Sequence, residues 1–509
     1  MQSLFFVSPA LVLCGGSLAV LMMGLWIQSH GAWLGVSLAS LLAAGGLFAS
    51  MIGMPAQEAF AGMLVFDSFG LFFSLFAIVV GFFVFVLSSK SQEIRSDRRS
   101  EYYSIVLALL SGLVFMGISN HLLMVYLAIE TVSILSYTLA GFNRERQASV
   151  EASLKYVVYG SMASAIMVFG MSLLYGYTGS LEITDLRQFF TQQDSAQIPL
   201  ALWIGVLMVF AGIGYKISAA PMHMWTPDVY EGAPTPVSAL LSVGPKAAGF
   251  ALLIRFFVTG FSQPIEGTEA ISQLANIPVG FHIIGPFDWP KFLLVSSIFT
   301  MFMGNLAALG QVSVKRILAY SSIAHAGYIL MGASTQTHEG IVAIVFYLTI
   351  YCLMNLGAFW VASKMEDATG GDQLRNFKGL AQTQPFYAVA MAIFLFSLIG
   401  APPFAGFIGK FYLFKAVVAR ELYGFAILAA INSVISLYYY AKILRAIFLD
   451  APEMDHASEK AKLAFNCGVS KVFIALLVVP NVILGIYWEP VFQLSMRVVN
   501  FYVGGQIPQ

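Results

Sequence analysis

The sequence predicts an all-α, polytopic membrane protein with about 14 transmembrane helices, and three observations carry this. Of the 509 residues, 59% are hydrophobic and only 10% are charged, with a mean hydropathy of +0.80. A soluble domain carries about 25% charged residues, so this chain has too few to cover a soluble surface. Apolar runs of the roughly 20 residues that a spanning helix needs recur fourteen times. Lysine and arginine concentrate in alternate connections, as helices crossing back and forth require. The 26 basic and 26 acidic residues balance, so there is no electrostatic footprint for nucleic acid. Low charge with high hydrophobicity also excludes a disordered chain.

Taken in order, the runs fall near 4–27, 32–54, 63–88, 102–119, 122–142, 153–176, 199–225, 236–260, 291–309, 316–333, 339–362, 384–420, 422–449 and 470–495. The first lacks a basic flank and a small-residue cleavage site, so it reads as a retained span and not a signal peptide. The longest connections are 177–198, 261–290, 363–383 and 450–469; within the first, 179–190 reads as a short interfacial helix. No pattern of short alternating strands suggests a β-barrel. Cys14, Cys352 and Cys467 form no metal or redox motif and read as small apolar side chains.

The basic connections are all odd-numbered. They hold Lys90, Arg95, Arg98 and Arg99; Arg144 and Arg146; Lys315 and Arg316; Lys364, Arg375 and Lys378; and Lys442, Arg445, Lys460, Lys462 and Lys471. The other face has only Arg187, Arg420 and Arg497. The basic face is therefore expected to be cytoplasmic, with both termini outside.

Spans 7 and 12 are too long for simple crossings. The first runs through Pro221 and the second contains Gly400-Ala401-Pro402-Pro403. Proline removes a backbone donor and clashes with the preceding turn, so each helix should break there. Paired breaks mark inverted-repeat transporters. The breaks lie five spans apart, which gives two inverted five-helix repeats, helices 4–8 and 9–13. The resulting divisions are 1–100 (helices 1–3), 101–260 (first repeat), 261–450 (second repeat) and 451–509 (C-terminal loop and helix 14).

Setting loop charges aside leaves a short list inside the membrane. Glu130 lies in span 5, Lys216 before the break of span 7, Lys246 in span 8 and Lys410 after the break of span 12. His223 and His325 lie in spans 7 and 10. Each such charge costs about 2.5–3.5 kcal/mol or more at the bilayer centre, so these should face the bundle interior. Lys155, Lys291, Lys415 and Arg255 sit nearer span ends and read as snorkelling. The chemistry these types permit is proton handling. Desolvation disfavours the charged form of a buried lysine, and a carboxylate opposes that. A row of such groups makes a lateral relay. No cage of oxygens for sodium and no hydrolytic or nucleotide motif is present.

The stretch YKISAAPMHMWTPDVYEGAPTPVSALLSVGPKAAG (215–249) resembles the central motif of the antiporter-like membrane subunits of respiratory complex I, the proton-pumping NADH:quinone oxidoreductase. VKRILAYSSIAHAGYILMG (314–332) and IGAPPFAGFIGKFYLF (399–414) are similar to its second-half motifs. Lys410, where subunit M has glutamate, resembles the subunit N group. The resemblance implies a proton-translocating subunit of an oxidoreductase, without a redox centre of its own. It implies a relay of Glu130, Lys216, Lys246, His325 and Lys410, with His223 and also Lys155 as members. It implies no cofactor or metal in this chain, with FMN, iron–sulfur clusters and quinone in partner subunits. Subunit M and the small membrane subunits are the expected neighbours, in a bacterial inner membrane. A Mrp-type cation/proton antiporter subunit, or the membrane arm of a related hydrogenase complex, stays open as an alternative.

Overall fold

The computed structural model describes residues 2–192, 198–264, 281–283, 288–453 and 464–504. In membrane, backbone donors and acceptors must be satisfied within the segment, which leaves helices as the solution for these apolar runs. The first three helices are α1 (Gln2–Trp26), α2 (His30–Ser50) and α3 (Ser68–Ser89). Between α2 and α3 a small antiparallel hairpin pairs β1 (Gln57–Ala59) with β2 (Leu64–Phe66). Then come α4 (Arg99–Ile118), α5 (Leu122–Ala140), α6 (Gln147–Thr178), the short α7 (Ile183–Gln192), α8 (Leu200–Ile217), α9 (Trp225–Gly232) and α10 (Thr235–Ile254). A second hairpin, β3 (Ser262–Pro264) with β4 (Phe281–Ile283), precedes α11 (Trp289–Leu309), α12 (Val314–Ala333) and α13 (His338–Thr369). The chain continues through α14 (Leu374–Phe377), α15 (Leu380–Thr383), α16 (Pro385–Ile399), α17 (Ala405–Ala419), α18 (Tyr423–Phe448), α19 (Gly468–Ile486) and α20 (Glu489–Gly504).

Among the described residues, 12 helices are long and apolar enough to cross a membrane. The 20-residue α12 has the length but carries Lys315, Arg316, His325 and a run of serines. The pair α16 and α17 forms the broken span 12. The short α7 occupies the interfacial helix expected at 179–190.

Both breaks form where the prolines demand them. Helix α8 ends with Ser218 in the left-handed region (φ 62°), and the chain turns through a cis Ala220–Pro221 bond before α9 begins. Helix α16 ends with Gly400 (φ 84°), and the chain passes a cis Pro402–Pro403 bond before α17. Glycine tolerates that φ without steric cost.

The bundle centres on α10, wholly buried, and α13, almost so. Helices α2, α6, α18 and α19 lie outermost, with Leu42, Val158, Val434 and Val472 among their exposed apolar side chains. Such an apolar exterior fits acyl chains and not water.

The structure departs from the sequence reading in four places. The run 470–495 is two helices, α19 and α20, separated at Tyr487–Trp488. Glu489-Pro490 supplies a favourable helix start there, with proline in the first turn. Helices α6 and α13 reach 32 residues each, about 48 Å at 1.5 Å per residue, so they extend past a hydrocarbon core of about 30 Å. Consequently Lys364, read as a loop charge, is on α13 and buried; Lys315, also read as a loop charge, is fully buried in the first turn of α12. Arg255 does not snorkel: it is buried and donates to both carboxylate oxygens of Asp67, at 3.0 Å each, and to the Gly117 carbonyl. Lys460 and Lys462 lie outside the described residues.

Candidate functional site

A row of polar contacts crosses the bundle at mid-depth. It begins on α5, where Glu130 accepts a hydrogen bond from Ser164 of α6. One turn along α5, Ser133 accepts from the ammonium of Lys216 at 3.1 Å. Glu130 and Lys216 form no ion pair with each other among the described residues; Ser133 takes the lysine and Ser164 the carboxylate. Lys216 is buried in the last turn of α8, where the carbonyl end of the helix favours a cation. Its stem packs on α10 at Gly249, where an added Cβ would lie 3.6 Å from the Lys216 Cβ. Glycine thus allows α8 to approach within a turn of Lys246.

Lys246 is 2% exposed at the centre of α10, directly after Pro245. Its ammonium donates across the bundle to α12, to the Ser322 hydroxyl at 2.5 Å and the Ser322 carbonyl at 2.9 Å. Tyr351 of α13 donates to the same hydroxyl at 2.7 Å. The Tyr351 ring lies 5.3 Å from the His325 ring. His325 sits between two phenols, Tyr347 at 2.6 Å from Nδ1 and Tyr440 at 3.3 Å from Nε2, and Tyr440 also pairs with Ser321.

Beyond His325, the ammonium of Lys410 stands 4.7 Å over the ring of Tyr328, a cation–π geometry. Lys410 reaches back across the break to the Ile399 carbonyl at 2.8 Å, with Ser433 at 3.3 Å. It therefore caps the carbonyl end of α16 from the first turns of α17. The row thus brings together Glu130, Lys216, Lys246, His325 and Lys410.

Two expected members lie elsewhere. His223 is in the turn between α8 and α9, and its Nδ1 is buried without a hydrogen-bond partner among the described residues. Lys155 is on the half-exposed basic end of α6, paired with Asp228 at 2.7 Å and Glu151 at 2.8 Å. Arg316 completes that cluster, bridging Asp228 and Glu231.

A second polar feature joins the row to the basic face. On α10, Thr235, Ser238, Ser242 and Lys246 follow one another at helical spacing along one side. The antiparallel α13 faces it with Glu366, Ser363, Asn355 and Tyr351. Thr235 donates to Glu366 at 2.7 Å, and Asn355 donates to Ser242 at 2.6 Å. Asn355 Oδ1, Ser363 Oγ and Tyr230 Oη are buried without partners among the described residues. Buried polar atoms in native proteins are normally satisfied, by ordered water where protein does not serve.

At the basic end this seam meets a buried ion cluster. Lys315 donates to the Ala233 carbonyl at 2.9 Å and lies 3.2 Å from Glu366, which also takes Arg146 at 2.6 Å. Glu93, in the connection before α4, accepts from the first amide of α10, Thr235 N, at 2.9 Å. Burial, with Glu366 nearby, raises the Glu93 carboxyl to about 8, against the opposing pull of Lys315 and the Thr235 hydrogen bond. Its Oε1 has no partner among the described residues, and it lines a cavity of about 10 Å³. Reading the sequence missed this cluster because its members sat beside predicted loops. It also missed Ser133, Ser322, Tyr347, Tyr351 and Tyr440; serine and tyrosine are ordinary packing residues in membrane helices, and nothing local distinguishes these. Among the described residues no group of His, Cys, Asp or Glu could hold a metal ion.

The family model described as NADH:quinone oxidoreductase/Mrp antiporter, TM, matches residues 119–436. The chain is 40% identical to NADH-quinone oxidoreductase subunit N of Anaeromyxobacter sp. (strain Fw109-5), over 99% of this chain and 98% of that one. It superposes on a chain of respiratory complex I from Thermus thermophilus, solved with bound aureothin, with a TM-score of 0.76 at 29% identity, covering 96% of this chain and 99% of that one. A chain of the Mrp complex from Dietzia sp. DQ12-45-1b gives a TM-score of 0.76 at 21% identity, covering 99% of both, which shows the fold alone.

Proposed function

The chain belongs to the NADH:quinone oxidoreductase/Mrp antiporter membrane family, in its subunit N group, and on that premise we propose that it carries protons along the buried row from Glu130 to Lys410. The observation that supports this most is Lys246: a buried ammonium at the bundle centre, hydrogen-bonded from the first half of the chain into the second. A cation there is costly unless the site uses it.

In this reading a change in the carboxylate environment near Glu130 alters the affinity of Lys216 for its proton. The proton passes to Lys246 and on through the Ser322, Tyr351 and His325 group to Lys410. Lys246 is refilled from the basic face through the seam between α10 and α13. Moving one charge against 100 mV costs about 2.3 kcal/mol. A two-unit change in a lysine's proton affinity supplies about 2.7 kcal/mol, so one switched pair matches one step.

The chain itself does no redox chemistry in this proposal. Flavin, iron–sulfur clusters and quinone belong to partner subunits, with subunit M and small membrane subunits as neighbours. The complex sits in a bacterial inner membrane, with the basic face cytoplasmic and both termini outside. The Mrp-type antiporter reading receives the shared family model and the shared fold, whereas the subunit N relative matches along almost the whole chain.

The test is proton uptake per NADH oxidised by the purified complex in proteoliposomes. Lys246→Ala and Glu130→Gln should each leave the complex assembled on a native gel and lower proton transport severalfold or more. Normal transport in either variant would overturn the relay.

A further inference from the structure

We propose that the trough between α1, α4, α5 and α6 at the basic face is a binding site for one anionic phospholipid, with its phosphate held between Arg98 and Arg144. The trough is an open cavity of about 610 Å³. Arg98, Arg144 and Glu101 line its mouth, and Leu21, Ile105 and Phe142 line its apolar wall.

The depth of each group sets the ligand. Arg98 is the N-cap of α4, and Arg144 lies just past the end of α5. Both therefore stand where helices leave the membrane. Leu21 lies more than a turn inside the end of α1, and Ile105 lies nearly two turns inside α4, about 10 Å deeper than Arg98 at 1.5 Å per residue. Cations at the interface above apolar surface at acyl depth is the order in which a phospholipid presents its own groups.

The polar groups of the wall are already satisfied within the chain. Ser104 pairs with Ser17, Thr138 donates to the Ile134 carbonyl at 3.0 Å, and Ser153 donates to the Tyr137 carbonyl at 2.9 Å. The wall thus offers an occupant apolar contact and asks for no hydrogen bonds, which suits an acyl chain and not a polar solute.

The charges at the mouth leave room for an anion. The neighbouring Arg95 is taken up by Asp97 and Glu145. Arg98 and Arg144 form no ion pair within 4.0 Å among the described residues. Glu101 opposes a phosphate, but two guanidinium groups and the positive end of the 20-residue α4 outweigh it. Arginine's planar fork also matches phosphate geometry. Glu93 and Glu145 line the small adjoining cavity, which shares Arg98, Phe142 and Arg144 with the trough.

The experiment places the photoreactive residue p-benzoylphenylalanine at Leu21 in the assembled complex. The complex is reconstituted in nanodiscs of phosphatidylcholine with a minor share of phosphatidylglycerol, and adducts on this chain are identified by mass. The proposal expects phosphatidylglycerol adducts enriched above their share of the bilayer. Arg98→Gln and Arg144→Gln should each cut that enrichment about five-fold. Excess inorganic phosphate should leave it unchanged. The same probe at Val434, 70% exposed on α18, should follow bulk lipid composition in every variant and so reports intact assembly. Adducts that track bulk composition at Leu21, a cross-link there to a neighbouring polypeptide, or displacement by inorganic phosphate would each overturn the lipid site.

Discussion

The ammonium of Lys246 donates to both oxygens of one residue, the hydroxyl of Ser322 at 2.5 Å and its carbonyl at 2.9 Å. The two residues are 76 positions apart, on α10 and α12. The contact joins the predicted first repeat to the second, so the central lysine is held by the half of the chain that does not contain it. A hydrogen bond to a charged group contributes about 1.5–3 kcal/mol. Ser322→Ala removes the hydroxyl but leaves the carbonyl, and it strips Tyr351 of its acceptor. The variant should therefore retain a charged Lys246 less firmly, lowering proton transport about ten-fold, while Lys246→Ala abolishes it. Proton uptake per NADH in proteoliposomes checks the order: equal rates in Ser322→Ala and the unmodified protein would show that the hydroxyl is not part of the path.

The seam between α10 and α13 makes a separable prediction. Asn355 donates to Ser242 at 2.6 Å, and its own oxygen has no partner among the described residues. Asn355→Leu keeps much of the volume but removes both polar functions, so it should slow refilling of Lys246 from the basic face. Steady-state proton transport should fall severalfold, whereas Asn355→Gln should retain more of it. Equal loss in both variants would point to packing instead of hydration.

Glu93 carries a pH dependence with a definite sign. Its carboxyl is raised in the fold to about 8, against about 4.3 in an unfolded chain. Between those values the folded state holds a proton that the unfolded state has released. Stability from this group is complete at low pH, declines as pH rises through that window, and is gone above about pH 8. Glu93→Gln stays neutral throughout. The difference in thermal stability between Glu93→Gln and the unmodified complex should therefore grow from pH 6 to pH 9 in favour of the variant. A difference that does not change with pH would contradict this placement of the charge.

How much of this was legible in the sequence follows from the kind of signal each residue gives. Glu130, Lys246 and Lys410 stood out because an ionisable group inside a long apolar run has few explanations. The breaks stood out because proline cannot continue a helix. Ser322, Tyr351 and Asn355 gave no signal, since their roles depend on partners that only the packing of α10, α12 and α13 supplies. Lys364 and Glu366 were hidden by helix length: a span cut at about 20 residues leaves the true end of the 32-residue α13 among the loop charges. The bonding of Lys216 to Ser133 and not to Glu130 was hidden too, because two mid-membrane charges of opposite sign invite a direct pair until the register of α5 against α8 is known.

Arg255 and Asp67 give the last prediction and a sharper case of hidden pairing. They lie 188 residues apart, and neither one's local sequence suggests the other. Their side chains are 3% and 6% exposed, and two parallel N–H···O bonds of 3.0 Å join them. Asp67 also accepts from Gly70 N at 2.7 Å as the N-cap of α3, so one carboxylate fixes a helix start and ties α3 to the end of α10. Removing one partner of a buried pair leaves an uncompensated charge, at a cost of about 3–5 kcal/mol. Asp67→Ala strands the guanidinium and also removes the cap, which alone is worth about 1 kcal/mol. Arg255→Met strands the carboxylate but keeps the cap. Both should lower the midpoint of thermal unfolding, Asp67→Ala by more, and the double variant should recover part of the loss because no charge is left unpaired. Modification of the buried Cys352 thiol, followed by peptide mass as the complex is heated, gives the readout. Additive losses in the double variant would show that the two residues act independently, contrary to their geometry.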